Sequence, residues 1–352
     1  MLLNCIDIFQ DNRAARIRER ILLIIYHFLW ILDMASKILC FHTSSADVFI
    51  LAFASKLLSF ITWWIVYRHR TLIRYTLEQI YALKNIIKPK EKRCTVVWFG
   101  IFIMLLQSSV FIYSVNGVMH ILRRVQKQGI SYSKTDRCTS FTIPLNSIYK
   151  KAAVSFLSNL VNHYIDWNIH FAVVATYCFC CGELKKMIHT LCSKRRLISC
   201  HGNLWQRYYQ IKKCLKDTEE RFSLLIFIFF ARFFVECFTV LTFLFDKMKV
   251  KADILDSAAT GIYSSMILIV FVVVVMCASN LMDYYKKLCV KMIAVPKSNR
   301  NFETHRSWIL LMSDKNDINL TGWGTFYLKK SLCMTAAASF VSYGVILYQY
   351  HG

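Results

Sequence analysis

Residues 259–282 read ATGIYSSMILIVFVVVVMCASNLM, a stretch of the chain without a single charged side chain. A helix of about 20 mostly apolar residues is long enough to cross the hydrocarbon core of a bilayer. Further stretches of the same character occur along the chain. The sequence therefore predicts an all-α polytopic membrane protein with seven membrane-crossing helices, at residues 21–41, 47–67, 96–121, 143–182, 222–245, 259–283 and 327–352.

The composition of the whole chain agrees with this fold class. Of the 352 residues, 56% are apolar and 18% are charged, and the mean hydropathy is +0.40. Soluble domains carry about 25% charged residues, and a chain this apolar is not intrinsically disordered. Because only 3 prolines and 10 glycines are present and no linker-like stretch interrupts the pattern, we predict one domain that spans residues 1–352.

Lysine and arginine are distributed unevenly between the two sides of the predicted bundle. The segments on the side of the N-terminus carry 31 of these residues, and the segments on the other side carry 8. Cytoplasmic loops of membrane proteins are enriched in Lys and Arg, so the N-terminus is predicted in the cytosol and the C-terminus outside the cell. The same distribution accounts for the formal net charge of +23 without a nucleic-acid partner.

This orientation argues against a G-protein-coupled receptor, which has seven helices but an extracellular N-terminus. None of the prolines follows an asparagine, so the Asn-Pro-x-x-Tyr motif of those receptors is absent. The chain also lacks the nucleophile motif Gly-x-Ser-x-Gly, the phosphate-binding motif Gly-x-x-x-x-Gly-Lys and the zinc motif His-Glu-x-x-His. We therefore expect a protein that is not an enzyme and has no cofactor and no metal site.

The C-terminal end of the last stretch carries a short motif. It consists of Ser342-Tyr343, five residues at 344–348, and Gln349-Tyr350. This resembles the signature of the insect gustatory receptor family, which is Thr-Tyr, five hydrophobic residues and Gln-Phe. Ser for Thr and Tyr for Phe are conservative departures, whereas Gly344 replaces a larger apolar residue. Gly322-Trp323-Gly324 also resembles the family's approach to its last helix.

The resemblance implies an assembly and a function. Members of this family, which is related to the insect odorant receptors, look like tetrameric ligand-gated cation channels in the plasma membrane of gustatory neuron dendrites. The last helix of each subunit lines a central pore, and a pocket for a small-molecule tastant lies in the outer half of the other helices. The chain would then divide into a cytoplasmic tail (1–20), six helices (21–283), a cytoplasmic anchor segment that holds the tetramer together (284–326) and a pore-lining helix (327–352).

The spacing of polar residues in the last stretch is consistent with a pore. Ser342, Ile346 and Gln349 recur at i, i+4 and i+7, so they share one face of a helix. An apolar ring can gate a pore by dewetting, and an amide ring can hydrate an ion. Alternatively, Gln349 lies at the outer membrane interface beside Tyr350 and lines no pore. Periodicity leaves both readings open, and the resemblance favours a pore lined by Ser342, Ile346, Gln349 and Tyr350.

The fourth stretch carries a polar stripe on a single helical face. A polar face at bilayer depth must point into protein or a water-filled cavity. We interpret the stripe as one wall of the ligand pocket, and interhelical hydrogen bonding is the alternative. The stripe consists of Asn159, Asn162, His163, Asp166, Trp167 and His170, and the further candidates for the pocket are Tyr113, Asn116 and Tyr263.

Ionisable residues within the predicted spans require partners. Arg232 and Glu236 are spaced i, i+4, as are Asp33 and Lys37, and both are interpreted as local ion pairs. Lys56 has no such partner on its own helix and is expected to face a carboxylate or water.

Two alternatives to a tastant-gated channel remain open from the sequence. One is a secondary transporter of a small polar solute, with the stripe of the fourth stretch as its substrate site. The other is a silent accessory subunit of a heteromeric chemoreceptor. The sequence names neither the ligand nor the subunit composition, so a homotetramer and a heterotetramer with other gustatory receptors are equally compatible with it. Monovalent and divalent cations are the expected permeating ions.

Overall fold

A computed structural model describes residues 46–87, 148–193, 201–249, 254–293 and 318–351, together with positions 27–28, 30–31 and 115. This part of the chain is predominantly helical, as predicted. Its elements are α1 (Ala46–Ile87), α2 (Ile148–Ser193), α3 (His201–Lys249), α4 (Ile254–Ile293), β1 (Thr321–Gly322), β2 (Phe326–Tyr327) and α5 (Ser331–His351).

Three of the described helices contain segments that are long and apolar enough to cross a membrane. These segments are Gln206–Thr242 in α3, Ser264–Met292 in α4 and Ser331–Gln349 in α5. The predicted second stretch falls within α1, and the fourth overlaps α2 from Ile148 onward, whereas the first and third lie almost entirely outside the described residues. The count of seven spans and the orientation of the termini stay predictions, and so does the Asp33–Lys37 pair, which lies outside the described residues.

The first four described helices are much longer than a bilayer requires. They contain 42, 46, 49 and 40 residues, and at about 1.5 Å per residue each is about 60 Å long or longer. The hydrocarbon core of a bilayer is about 30 Å thick. Charged residues beyond the predicted spans therefore lie on continuations of these helices, at 68–87, 183–193, 201–221 and 284–293. The fourth stretch continues as one helix to Ser193.

A small β-hairpin precedes the last helix and shifts its start from the predicted residue 327 to Ser331. Strands β1 and β2 pair antiparallel, with Thr321 opposite Tyr327 and Gly322 opposite Phe326. The turn between them places Trp323 and Gly324 at positive φ angles of 50° and 70°. For a non-glycine residue such as Trp323, this conformation costs about 1–3 kcal/mol of folding free energy. The backbone N–H of Trp323 donates a hydrogen bond to Ser223 Oγ at 2.7 Å, which holds the turn in place.

The apolar core lies between α1, α2, α3 and α4, and α1 contributes Ile80, Leu83 and Ile87 to it. One face of α4 is fully buried. It is formed by residues at i, i+4, i+8 and i+11, which are Val270, Val274, Ala278 and Leu281. It packs with buried side chains of α2 and α3, among them Leu184 and Leu225, into one cluster that also takes in Leu320 and Leu328 beside the hairpin. The hairpin is thus seated on the same core as the long helices.

Gly322→Ala tests this seating. A Cβ added at Gly322 would lie 2.7 Å from Cε2 of Phe326, so the ring must move or the hairpin must open. Overpacking of this kind costs about 1–3 kcal/mol. We expect a clear loss of thermal stability for the purified variant, measured by fluorescence-detected size-exclusion chromatography after heating.

Gly182→Ala is the matched control, because a Cβ at Gly182 would meet nothing within 4 Å. It should retain wild-type stability or exceed it slightly, since alanine favours a helix over glycine. Equal stability of the two variants would show that the hairpin is not packed as described.

Candidate functional site

Six polar side chains join α1, α2 and α3 at a buried contact, named here the polar cluster. Among them, Ser59, Thr62 and His170 have no exposed surface, and Arg232 is 1% exposed. The members of the cluster are Ser55, Ser59 and Thr62 on α1, His170 on α2, and Arg232 and Glu236 on α3. On a protein surface, water would hydrogen-bond these groups. In a buried position each group requires a hydrogen-bond partner within the protein.

The geometry fixes the proton arrangement of His170. Arg232 Nη1 lies 2.9 Å from His170 Nδ1, and a guanidinium can only donate hydrogen bonds. His170 is therefore neutral and carries its proton on Nε2, which donates to Thr62 Oγ1 at 3.0 Å. The hydroxyl of Thr62 in turn donates to the carbonyl of Leu58 at 2.8 Å. One directed chain of hydrogen bonds thus links α3, α2 and α1.

The charge of Arg232 is balanced within the same cluster. Arg232 Nη2 lies 3.7 Å from Glu236 Oε1, which confirms the predicted pair on one helix. Ser55 Oγ donates to the same carboxylate oxygen at 2.5 Å, and Arg232 Nη1 also donates to Ser59 Oγ. The pair is therefore not only local, because both of its charges are held by hydroxyls of α1.

The hydroxyls of α1 could have been found from the sequence. Ser55, Ser59 and Thr62 are spaced i, i+4 and i+7 and so share a face of the second stretch. Lys56 lies beside them and is 8% exposed. It is buried in the bundle, and the expectation that it faces a carboxylate or water stays a prediction.

The structure separates the predicted stripe of the fourth stretch into two parts. His170 belongs to the polar cluster, where it serves interhelical hydrogen bonding, the alternative to a pocket wall. Asn159, His163, Asp166 and Trp167 lie on α2, and Tyr263 lies on α4, but their side chains are outside the described part of the chain, as are Tyr113 and Asn116 entirely. Their assignment to a ligand pocket stays a prediction.

The last helix presents one face to the bundle and another away from it. Ala336 and Leu347 are buried and Phe340 and Tyr343 are half-buried, so this side packs against α3 and α4. The predicted pore residues Ser342, Ile346 and Gln349 are all exposed, with Ile346 at 59%, and the side chain of Tyr350 is not described. Thr335 and Ser339 extend the exposed face towards the start of the helix.

Aromatic contacts connect α5 to α3. The ring of Phe340 lies 5.7, 5.5 and 5.6 Å from the rings of Phe233, Phe234 and Phe238. The ring of Tyr343 lies 4.5 Å from Phe238, and its hydroxyl is 3.3 Å from Thr242 Oγ1. The tyrosine of the C-terminal motif therefore has a structural role, which is to attach the last helix to α3.

A second connection joins α3 to the hairpin. Glu219 accepts the backbone N–H of Thr321 at 3.0 and 3.1 Å with its two carboxylate oxygens, and also accepts the Thr321 hydroxyl. Ser223, one turn further along α3, holds the turn at Trp323. Helix α3 thus contacts both the hairpin before α5 and, through the aromatic rings, the middle of α5.

The fold is similar to that of an insect olfactory receptor of known structure. Structures of the olfactory receptor OR5 from the insect Machilis hrabei are similar to 97% of this chain. The free receptor has a TM-score of 0.60 at 10% identity and is covered over 90% of its length. The complex with eugenol has a TM-score of 0.58 at 11% identity, with 92% covered.

Residues 151–352, more than half of the chain, match the family model described as trehalose receptor. The chain therefore belongs to this family of insect gustatory receptors, and the resemblance of its C-terminal motif to that family is confirmed. No curated protein sequence matches the chain.

The polar cluster leads to a prediction on stability. Arg232→Leu leaves the Glu236 carboxylate without its guanidinium in a buried place, and breaking a buried pair in this way costs about 3–5 kcal/mol. The melting temperature of the purified protein should fall sharply. The double variant Arg232→Leu/Glu236→Gln should recover part of the loss, because it removes the unbalanced charge.

Arg74 and Glu78 provide a matched control. They form an i, i+4 pair of the same two residue types, at 2.7 Å, but their side chains are 47% and 58% exposed. Exposed pairs contribute about 0–1 kcal/mol, so Arg74→Leu should change the melting temperature little. A similar loss for both arginine variants would contradict the account of the polar cluster.

Proposed function

We propose that the protein is a gustatory chemoreceptor and is itself a ligand-gated cation channel. Four copies would assemble so that their α5 helices surround a common pore, and a small-molecule tastant would open it. Membership in the gustatory receptor family supports the receptor role. The observation that carries the channel proposal is the exposed polar face of α5.

This face runs the length of the last span. Its five residues follow each other at intervals of four, three, four and three, so they form one stripe along the helix, and all five are exposed. In the apolar stretch of α5 only 11% of the residues are buried, whereas 39% are buried in that of α3 and 50% in that of α4. The residues of the stripe are Thr335, Ser339, Ser342, Ile346 and Gln349.

The extent of the stripe supports a pore over an interfacial position for Gln349. A side chain that only reaches the outer interface explains one polar residue at the end of a span. It does not explain Thr335, Ser339 and Ser342 in the first two-thirds of the helix. Polar residues in a span normally face protein or water, and a water-filled pore between four copies provides both.

The order of residues in the stripe gives the proposed pore a gate. Ile346 would form an apolar ring between the hydroxyls of Ser342 and the amides of Gln349. A hydrophobic constriction of this kind closes a channel by dewetting, and the polar rings on either side hydrate the ion. The gate would open when the α5 helices move apart.

The contacts of α3 suggest how ligand binding reaches this gate. We place the tastant pocket in the outer half of the bundle, along the α2 residues Asn159, His163, Asp166 and Trp167. Helix α3 contacts α2 through Arg232 and His170 and α5 through Phe340 and Tyr343. A ligand that binds the open arrangement of these helices more tightly than the closed one shifts the population towards the open pore.

The ligand class and the assembly can be tested together. Because the matching family is described as trehalose receptor, trehalose and other sugars are the first probes, followed by bitter compounds. Whole-cell currents would be recorded from cells that express the chain alone and with other gustatory receptors. Current from the chain alone indicates a homotetramer, and current only in combination indicates a heteromer or an accessory subunit. Either current requires the protein to be in the plasma membrane, which is the location that we propose.

The sharpest prediction concerns Gln349. Four copies of Gln349→Glu would add up to four negative charges to one ring of a narrow pore, where charges are poorly screened. We expect divalent cations to block the current at about tenfold lower concentration, since 1.4 kcal/mol of added attraction gives that factor. Ile346→Ser should wet the constriction and give current without ligand.

Leu347 serves as the control, because it is 9% exposed and faces the bundle next to Ile346. Leu347→Met should leave the reversal potential and the divalent block at wild-type values. If Gln349→Glu conducts but leaves both quantities unchanged, α5 does not line the pore.

A further inference from the structure

A cavity lies between the end of α4 and the start of α5. Its volume is 340 Å³, within the range of about 300–1,000 Å³ that is typical of ligand pockets. One face of α4 lines it with Ser279, Asp283 and Lys286, which are spaced i, i+4 and i+7. The segment that leads into α5 contributes Asn319, Lys329 and Lys330.

Charged residues begin at this cavity in α4 and end at it before α5, which we take as the edge of the membrane. The uncharged run of α4 ends at Asp283, and the apolar span of α5 begins at Ser331, directly after Lys329 and Lys330. These two boundaries are about 50 residues apart along the chain, and the residues at both of them, Asp283 and Lys330, line the same cavity. The headgroups of membrane lipids lie at this level, just outside the hydrocarbon core.

The cavity carries a surplus of positive charge. Its lining contains three lysines and one aspartate. Lys330 Nζ lies 3.3 Å from Asp283 Oδ2, but these side chains are 55% and 53% exposed, so the pair is hydrated and contributes little. Lys329 Nζ lies over the ring of Tyr327 at 4.9 Å. Among the described residues of the lining, no second carboxylate balances the positive charges of Lys286 and Lys329.

We propose that this cavity binds a phosphorylated inositol headgroup. A headgroup with several phosphates can contact Lys286 on α4 and the two lysines before α5 at once. Basic pockets between membrane helices on the cytoplasmic side bind such headgroups, and the positive-inside distribution predicts this end of α4 on that side. Binding joins α4 to the start of the last helix.

The test uses the purified full-length protein and three probes. These are dioctanoyl phosphatidylinositol bisphosphate, soluble inositol trisphosphate and dioctanoyl phosphatidylserine, with affinities measured by microscale thermophoresis. Both inositol compounds should bind, and phosphatidylserine should bind at least about tenfold more weakly. Tighter binding of the lipid assigns the natural source to the membrane, and equal binding of the two inositol compounds assigns it to the soluble phosphate. Equal binding of all three probes would overturn the proposal.

Two variants with opposite expected effects locate the site. Lys286→Gln/Lys330→Gln should weaken binding of the phosphatidylinositol bisphosphate at least about tenfold. Asp283→Asn removes the anion that competes for Lys330 and should tighten it severalfold, a gain that misfolding cannot produce. Lys213→Gln/Lys216→Gln, which removes two exposed lysines of α3, is the charge-matched control and should bind as wild type. Equal losses in the two double variants, or no gain in Asp283→Asn, would overturn the proposal.

Discussion

The guanidinium of Arg232 joins three of the described helices, α1, α2 and α3, at one buried point. It is 1% exposed, and a charge removed from water in this way must be balanced and hydrogen-bonded where it lies. Glu236 supplies the balance from the same helix, while Ser59 and His170 supply acceptors from α1 and α2. Helices α1, α2 and α3 can therefore shift at this point only if several of these hydrogen bonds change together.

Helix α3 carries this constraint to the last helix. Its polar side meets α1 and α2, and its aromatic side, with Phe233, Phe234 and Phe238, meets Phe340 of α5. Its earlier turns hold the hairpin through Glu219 and Ser223. The described part of the chain otherwise covers little of the last helix, and its exposed side carries the polar stripe beside apolar residues such as Val341 and Val345. A helix attached on one side and exposed on the other is suited to an assembly in which further copies complete its surroundings.

The sequence predicted what depends on hydropathy and on short spacing. These features depend on residues that are close together along one helix. They are the helical fold, the spans within α3 to α5, the Arg232–Glu236 pair, and the shared face of Ser342, Ile346 and Gln349. The other partners of Arg232 could not be predicted, since His170 and Ser59 are 62 and 173 residues away along the chain. The hairpin could not be predicted, because its two strands are only two residues long and too short to show an alternating pattern.

The central claim is that the polar stripe of α5 faces other copies of the same helix around an ion path. The most direct measurement is an electron cryo-microscopy structure of the purified receptor in lipid nanodiscs. The account predicts four subunits around one axis, with Ile346 and Gln349 of every copy directed towards that axis and Leu347 packed within its own subunit. A single subunit, or an assembly in which Ile346 and Gln349 face lipid, would contradict it.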